Sequence, residues 1–201
     1  MPSYLFVGLD VHAETIAVAV AEAGGEVRSL GVIPNRSESV RKLVRKLGPV
    51  EHLRACYEAG PTGYVLHWQL TQLGVSCAAI APSLVPTKAG DRVKTDRRDA
   101  AKLARGHRAG ELTAVWVPDA DHQALRDLVG AREAAKKDQL KARHRLGKFQ
   151  LRHGRRPDAI KAWTKAHLAW IQSKVHFDQP ALEATLADYQ QEVDHVAARI
   201  V

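Results

Sequence analysis

The sequence contains little cysteine and no long apolar run. Its two cysteines, Cys56 and Cys77, lie in short apolar runs, without another cysteine or a histidine at the spacing of a metal site. This argues against a zinc site or a disulfide framework and predicts two small core residues. The start, "MPSYLFVGLD", lacks the charged segment of a signal peptide, and no segment has the apolar length that spans a bilayer. We therefore expect an intracellular protein with no membrane partner.

Positive charge is the main compositional feature. The 201 residues include 30 Lys and Arg against 22 Asp and Glu, which gives a formal net charge of +8 and a pI near 9.7. Hydrophobic residues make up 45% of the chain, enough for a folded core. Long-range attraction then favours a polyanionic partner such as nucleic acid, although many soluble proteins are basic without such a partner.

The first 80 residues alternate between strand and helix signals. Short runs rich in Val, Ile and Ala predict strands, and the Gly24-Gly25 pair predicts a hairpin turn between the second and the third. Three antiparallel strands followed by αβ crossovers predict one mixed sheet with helices on its faces. The predicted strands are 4–9, 15–21, 27–33, 52–58 and 75–80, and the predicted helices are 37–47, with Ser37 as N-cap, and 60–73.

Beyond residue 117 the strong signals are helical, apart from a turn at Gly154 to Pro157. We expect an α/β domain at 1–117, closed by a helix at 96–108, and a basic helical extension at 118–201. Helices are predicted up to the turn and at 159–172 and 179–201. Apolar heptad-like positions in the last one predict packing against a partner helix, either in this chain or in another chain as a dimerising coiled coil. Trp163, Trp170 and Phe177 are spaced by seven, which fits a helix packing seam and also fits stacking on bases.

Four carboxylates stand at the ends of predicted elements. Asp10 follows the first strand and Glu58 ends the fourth, where a turn residue and an exposed strand end are the ordinary interpretations. Asp96 and Asp99 open a helix, where Asp96 as N-cap and Asp99 near the helix dipole would explain them without any ligand. If the first and fourth strands are neighbours, however, the helix brings all four together. Such a set requires bound cations, and oxygen ligands favour Mg²⁺ or Mn²⁺, here as a pair of ions.

The segments "GLDVH" with Asp10, "YEAGPTGY" with Glu58 and "KTDRRDA" with Asp96 and Asp99 resemble the DEDD transposases of the insertion-sequence-110 group. The resemblance implies a ribonuclease H-like, RuvC-like α/β fold followed by the helical extension. It also implies metal-dependent DNA cleavage and strand exchange for a mobile element in the bacterial cytoplasm, at the nucleoid. A structured bridge RNA would act as guide, and the protein would form dimers or tetramers.

In this family a carboxyl-terminal domain supplies a serine thought to act as nucleophile. The present sequence ends at Val201 without a recognisable domain of that kind, so we expect it to correspond to the amino-terminal portion of a family member.

Basic residues are dense around the second pair of carboxylates and between positions 136 and 156. We expect both groups to hold nucleic-acid phosphates, although a solvated helix face would look similar. His12, two residues after Asp10, is a substrate contact or an ordinary surface histidine. The predicted nucleic-acid contacts are Lys94, Arg97, Arg98, Lys102, Arg105, Lys136, Lys137, Lys141, Arg143, Arg145, Lys148, Arg152, Arg155 and Arg156.

Two other functions compete with a transposase. A nucleic-acid-binding module without catalysis would use the basic helices alone and leave the carboxylates as caps. An actin-like or sugar-kinase ATPase also begins with a strand ending in "GLD", but such enzymes need glycines after that Asp, where this chain has Val11-His12-Ala13-Glu14. Cation binding at the carboxylates argues against the first alternative, and tight Mg²⁺-dependent ATP binding would favour the second.

Overall fold

The computed structural model describes residues 4–86 and 95–200. The chain divides into two compact units, one up to Pro118 and one from Asp119 onward. The strands are β1 (Leu5–Val11), β2 (Thr15–Glu22), β3 (Val27–Pro34), β4 (Leu53–Glu58) and β5 (Ser76–Ile80). The helices are α1 (Ser37–Leu47), α2 (Val65–Gln72), α3 (Asp96–Ala109), α4 (Ala120–Arg152), α5 (Lys165–Lys174) and α6 (Pro180–Ala198).

The strands form one mixed sheet in the order β3-β2-β1-β4-β5. β1, β2 and β3 are an antiparallel meander, whereas β4 runs parallel to β1 and β5 parallel to β4. Each parallel connection contains a helix, as parallel pairing requires. This mixed α/β sheet with flanking helices is consistent with a ribonuclease H-like fold and confirms the predicted fold class. The first and fourth strands are neighbours, which was the condition for bringing the carboxylates together.

The two faces of the sheet are covered differently. On one face, Val7 and Leu9 of β1 pack with apolar residues of α1 and α2 in the largest core cluster. On the other face α3 lies so close to β1 that a Cβ atom on Gly8 would come within 2.2 Å of the backbone oxygen of Ala100. Alanines of β2 and α3 permit this close packing, namely Ala17, Ala19, Ala21, Ala100 and Ala104.

The cysteines are core residues, as predicted. Cys56 is fully buried in β4, where its thiol donates to the carbonyl oxygen of Leu103 at 3.6 Å, and Cys77 in β5 is half-buried. Burial raises the pKa of both thiols, that of Cys77 to about 12. Both are therefore protonated at neutral pH and poorly suited to metal binding or redox chemistry.

In the second unit, α4, α5 and α6 bury a separate core that includes Leu146, Phe149, Ile171 and Val193. The predicted start of α5 at residue 159 is wrong. Ala159 and Trp163 have φ angles of 50° and 64°, in the left-handed region that breaks an α-helix, and Thr164 caps the helix that follows. α5 therefore begins at Lys165.

The prediction that Trp163, Trp170 and Phe177 form a seam along one helix is also wrong, because Trp163 precedes α5 and Phe177 follows it. All three rings nevertheless pack against the second core. Two side chains with a predicted role at phosphates lie over these rings: Arg143 over Trp163 at 5.3 Å and Arg155 over Phe177 at 5.4 Å.

A smaller correction concerns the start of α1. The structure places Ser37 inside the helix as its first residue, with Arg36 as N-cap and without a side-chain capping bond. Among residues 4–86 and 95–200, no helix combines the length and apolarity that crossing a membrane requires.

Candidate metal centre

Asp10 and Glu58 lie at neighbouring strand ends. The parallel pairing of β1 and β4 runs to Leu9 opposite Tyr57, and the two acidic residues follow directly. Leu9 and Tyr57 belong to the core cluster shared with α1 and α2. Because side chains alternate along a strand, Asp10 and Glu58 lie on the opposite face, which α3 covers. Strand register alone thus orients both side chains toward α3.

The first turn of α3 carries Asp96 and Asp99. The prediction that Asp96 is the N-cap is wrong, because Thr95 has the extended backbone of a cap residue and its hydroxyl oxygen accepts a bond from the Arg98 amide at 3.4 Å. Thr95 thus takes the capping role at the start of α3. The carboxylate of Asp96 is therefore available for another partner.

That partner is His12, which lies directly beyond β1. Its Nε2 is 3.2 Å from Oδ2 of Asp10 and 3.4 Å from Oδ1 of Asp96. One oxygen from each aspartate and one ring nitrogen lie within 4.8 Å of one another. The site thus joins β1, α3 and the loop between β1 and β2. The sequence predicts that His12 is either a substrate contact or a surface residue. Its spacing of two from Asp10 is the sequence signal that indicates a position next to the carboxylates.

The electrostatics of Asp10 reflect this crowding. Burial raises the pKa of its carboxyl, and the negative charges of Asp96 and Asp99 raise it further, while His12 acts in the opposite direction. Burial and the two negative neighbours both disfavour the ionised form of Asp10, and His12 offsets this effect only in part. A divalent cation would supply the missing positive charge, so the donor set fits such an ion.

Glu58 and Asp99 do not belong to the three-residue group found among the described residues. Asp99 is nevertheless near enough to act on the charge of Asp10, and Glu58 acts similarly on Cys56. The four-carboxylate set of Asp10, Glu58, Asp96 and Asp99 therefore stays a prediction. Two members, Asp10 and Asp96, share a ligand-sized cluster in this structure.

A shallow groove borders this cluster and is open to solvent. Val11, His12 and Ala13 line one part of it, and Asn35, Pro61 and Thr62 line the rest. His12 thus faces both the carboxylates and the groove, so a ligand in the groove would lie next to the cluster.

Basic residues lie between and after the two aspartates on α3. Arg97, Arg98 and Arg105 are exposed and Lys102 is half-buried, whereas Lys94 lies outside the described residues. Their assignment to phosphates stays a prediction.

The basic residues of α4 form two groups that share Lys141. Lys136, Lys141 and Arg145 form ion pairs with Glu133, Asp138 and Glu192, respectively. A second group shares one exposed side of the helix at spacings of three and four, opposite the buried Ala142 and Leu146. We call it the α4 basic stripe, and it consists of Lys137, Lys141, His144, Lys148 and Arg152.

The chain resembles known transposases over most of its length. The family model of DEDD transposases of the insertion-sequence-110 type, described as Transposase, matches residues 7–152. A putative transposase, y4qE, from Sinorhizobium fredii is 48% identical over 98% of this chain and 50% of its own length. The transposase for insertion sequence element IS1533 from Leptospira borgpetersenii is 35% identical over 96% of this chain and 57% of its own. The chain thus spans about half the length of these curated relatives.

Proposed function

The chain belongs to the DEDD transposase family of the insertion-sequence-110 group, and on that premise we propose that it forms the metal-dependent nuclease part of a transposase. The observation that carries the proposal is the convergence of Asp10 and Asp96, from β1 and α3, on one point at the end of the sheet. The reaction would be cleavage and exchange of DNA strands at the ends of an insertion sequence.

In this proposal, Asp10, Glu58, Asp96 and Asp99 hold two Mg²⁺ or Mn²⁺ ions. When bound, such ions polarise a phosphodiester and stabilise the attacking and leaving oxygens. The protein fixes the ligands on rigid elements: Asp10 within a central strand and Asp96 in a capped first turn. The raised pKa of Asp10 supports the assignment, because a carboxylate crowded by like charge binds a cation well.

We further propose that Arg97, Arg98, Lys102 and Arg105 hold the phosphates next to this site and that the α4 basic stripe holds DNA or a structured guide RNA. Charges beside the cluster would position the scissile phosphate, and the stripe would bind backbone without reading sequence. A homodimer or tetramer acting at the nucleoid completes the proposal. Lys136, Arg143, Arg145 and Arg155 contribute less to binding in this scheme, because acidic or aromatic side chains already hold them.

The experiment is a transposition assay in bacteria with an insertion element that encodes this sequence. We expect Asp10→Asn to lower the transposition frequency by more than about 100-fold, since loss of an outer partner of a metal ligand already costs 10- to 100-fold. Glu111→Gln is the matched control, because Glu111 is an exposed acidic residue just beyond α3 and outside the cluster. Normal transposition by Asp10→Asn, with equal protein levels, would overturn the proposal.

One observation favours a second candidate, a nucleic-acid-binding module without catalysis. Glu58 and Asp99 do not join the cluster of Asp10, His12 and Asp96. Calorimetric titration of Mg²⁺ or Mn²⁺ into the purified chain separates the two functions. Binding that Asp10→Asn abolishes supports the nuclease, whereas absence of binding at millimolar ion supports the module.

A further inference from the structure

His12 is held more firmly than its exposed ring implies. Its backbone N–H donates to the carbonyl oxygen of Thr15 at 2.8 Å, and its carbonyl oxygen accepts a bond from the side chain of Asn35, also at 2.8 Å. The backbone N–H of Asn35 in turn donates to the carbonyl oxygen of Glu14 at 2.9 Å. These bonds hold both sides of the β1–β2 loop, so the backbone of His12 is fixed. Its imidazole can therefore point at the carboxylates with little further loss of conformational entropy.

The ring nitrogen lies where a metal ligand would lie. Adjacent donors around an octahedral Mg²⁺, with bonds of about 2.1 Å, are about 3.0 Å apart. The separations of His12 Nε2 from the two aspartate oxygens, 3.2 and 3.4 Å, are slightly larger. The three atoms are thus close enough together to be ligands of one divalent cation. Nε2 is within hydrogen-bond distance of Asp10 and at ion-pair distance from Asp96, and a cation between the three atoms would engage both aspartate oxygens.

We propose that His12 is a direct nitrogen ligand of the divalent cation held by Asp10 and Asp96 and that it makes this site prefer Mn²⁺ over Mg²⁺. Imidazole nitrogen is a softer donor than a carboxylate, and Mg²⁺ has little affinity for it, whereas transition metals bind it well. Ligation requires the neutral ring with its proton on Nδ1, which leaves the lone pair of Nε2 for the ion. The inference rests on the proposed function, because it assigns a further ligand to the same site.

The groove beside His12 adds a consequence. Since His12 lines this groove, a cation bound to its Nε2 would lie at the boundary between the carboxylates and the open space.

The test is electron spin-echo spectroscopy of Mn²⁺ bound to the purified chain, together with calorimetric affinities for Mn²⁺ and Mg²⁺. We expect a nitrogen coupling at the Mn²⁺ ion in the wild-type chain and its loss in His12→Gln. The affinity for Mn²⁺ should fall about 10-fold in that variant and the affinity for Mg²⁺ by less than about 2-fold, because the amide oxygen is a hard donor.

His195→Gln is the matched control, because His195 is an exposed histidine of α6 in the second unit, and it should keep the nitrogen coupling. Three outcomes are distinguishable. A nitrogen coupling at Mn²⁺ that is lost in His12→Gln and kept in the control variant supports the inference. Mn²⁺ binding that needs Asp10 but shows no nitrogen coupling overturns it and leaves the proposed function intact. Absence of Mn²⁺ binding overturns both, and circular dichroism of each variant confirms that the fold is retained.

Discussion

At the residue scale, Asp10 has the clearest physical signature in the site. Four-fifths of its side chain is covered, Asp96 and Asp99 are close enough to affect its charge, and its pKa is raised for both reasons. A carboxyl of this kind lowers stability when it ionises without a cation. The proposed metal role of Asp10 is thus expected to lower the stability of the metal-free fold, as functional sites often do.

This arrangement has a definite pH dependence. Because the folded state has the higher pKa, it binds more protons than the unfolded chain between the ordinary value of 3.8 and the raised one. The contribution of Asp10 to the free energy of unfolding therefore falls as pH rises through that window, and above it the loss is constant. We expect metal-free Asp10→Asn to have a higher Tm than wild type at pH 7 and no such advantage below pH about 3.8.

Added cation should reverse this order. An ion at about 100 times its Kd stabilises wild type by about 2.7 kcal/mol and leaves Asp10→Asn nearly unchanged. Thermal melts across pH, with and without Mn²⁺, make both measurements. A variant that is less stable than wild type at pH 7 without metal would contradict the account of Asp10.

At the element scale, the decisive contact is the crossing of α3 over β1. Gly8 lies two residues before Asp10, and the backbone of α3 occupies the space where a side chain would be. Asp96 lies one turn before Ala100 on the same helix. The distance between Asp10 and Asp96 therefore depends on how closely the two elements pack at Gly8.

We expect Gly8→Ala to lower the free energy of unfolding by about 1–3 kcal/mol or more, because a Cβ 2.2 Å from a backbone oxygen must push the helix away. The same shift should weaken Mn²⁺ binding although no ligand changes. Denaturant unfolding and calorimetry measure the two effects.

Gly130→Ala in α4 is the matched control. Apart from the adjacent residues and the backbone of the helix itself, nothing lies within 4 Å of a Cβ added there. Helix propensity alone should therefore stabilise the chain by about 0.5–1 kcal/mol. If Gly8→Ala were as stable as wild type, the close packing of α3 on β1 would be refuted.

At the scale of the whole molecule, the positive charge can attract nucleic acid only where basic side chains are not already paired with acidic ones. The α4 basic stripe faces away from the core of its unit, and the ion pair of its Lys141 with Asp138 is long, at 3.8 Å. All five members are exposed, and three of them, Lys137, Lys148 and Arg152, are Lys or Arg side chains outside the ion pairs described above. These three should dominate the attraction of the second unit for nucleic acid.

Replacing Lys137, Lys148 and Arg152 together by alanine should therefore weaken binding of duplex DNA or structured RNA and flatten its salt dependence. Each phosphate contact contributes about 0.9 to the slope of log K against log salt for DNA, so the slope should fall by about 2–3. The control removes the same charge from α1 through alanine at Arg41, Arg45 and Lys46, which are exposed. Equal slopes for the two triple variants would mean that net charge, not the stripe, governs binding.

The sequence by itself determined the elements of the α/β unit and the residue types of its site. Strands and helices up to residue 80 follow from local periodicity, except that the helix predicted from residue 60 begins at Val65, after a turn. A helix that starts at Asp96 follows from its first turn. The prediction of α5 from residue 159 was wrong, because the left-handed backbone at Ala159 and Trp163 has no signal in the helical pattern. Local patterns thus specify most elements and fail where a single residue takes an uncommon conformation.

Tertiary structure alone decided which side chains meet. Thr95 and not Asp96 caps α3, and that choice leaves a carboxylate for the site. His12 lies between Asp10 and Asp96 because the register of β1 and the close approach at Gly8 bring three separate segments to one point. Such distances depend on the packing of residues far apart in the chain, so the spacing of residues along the sequence cannot contain them.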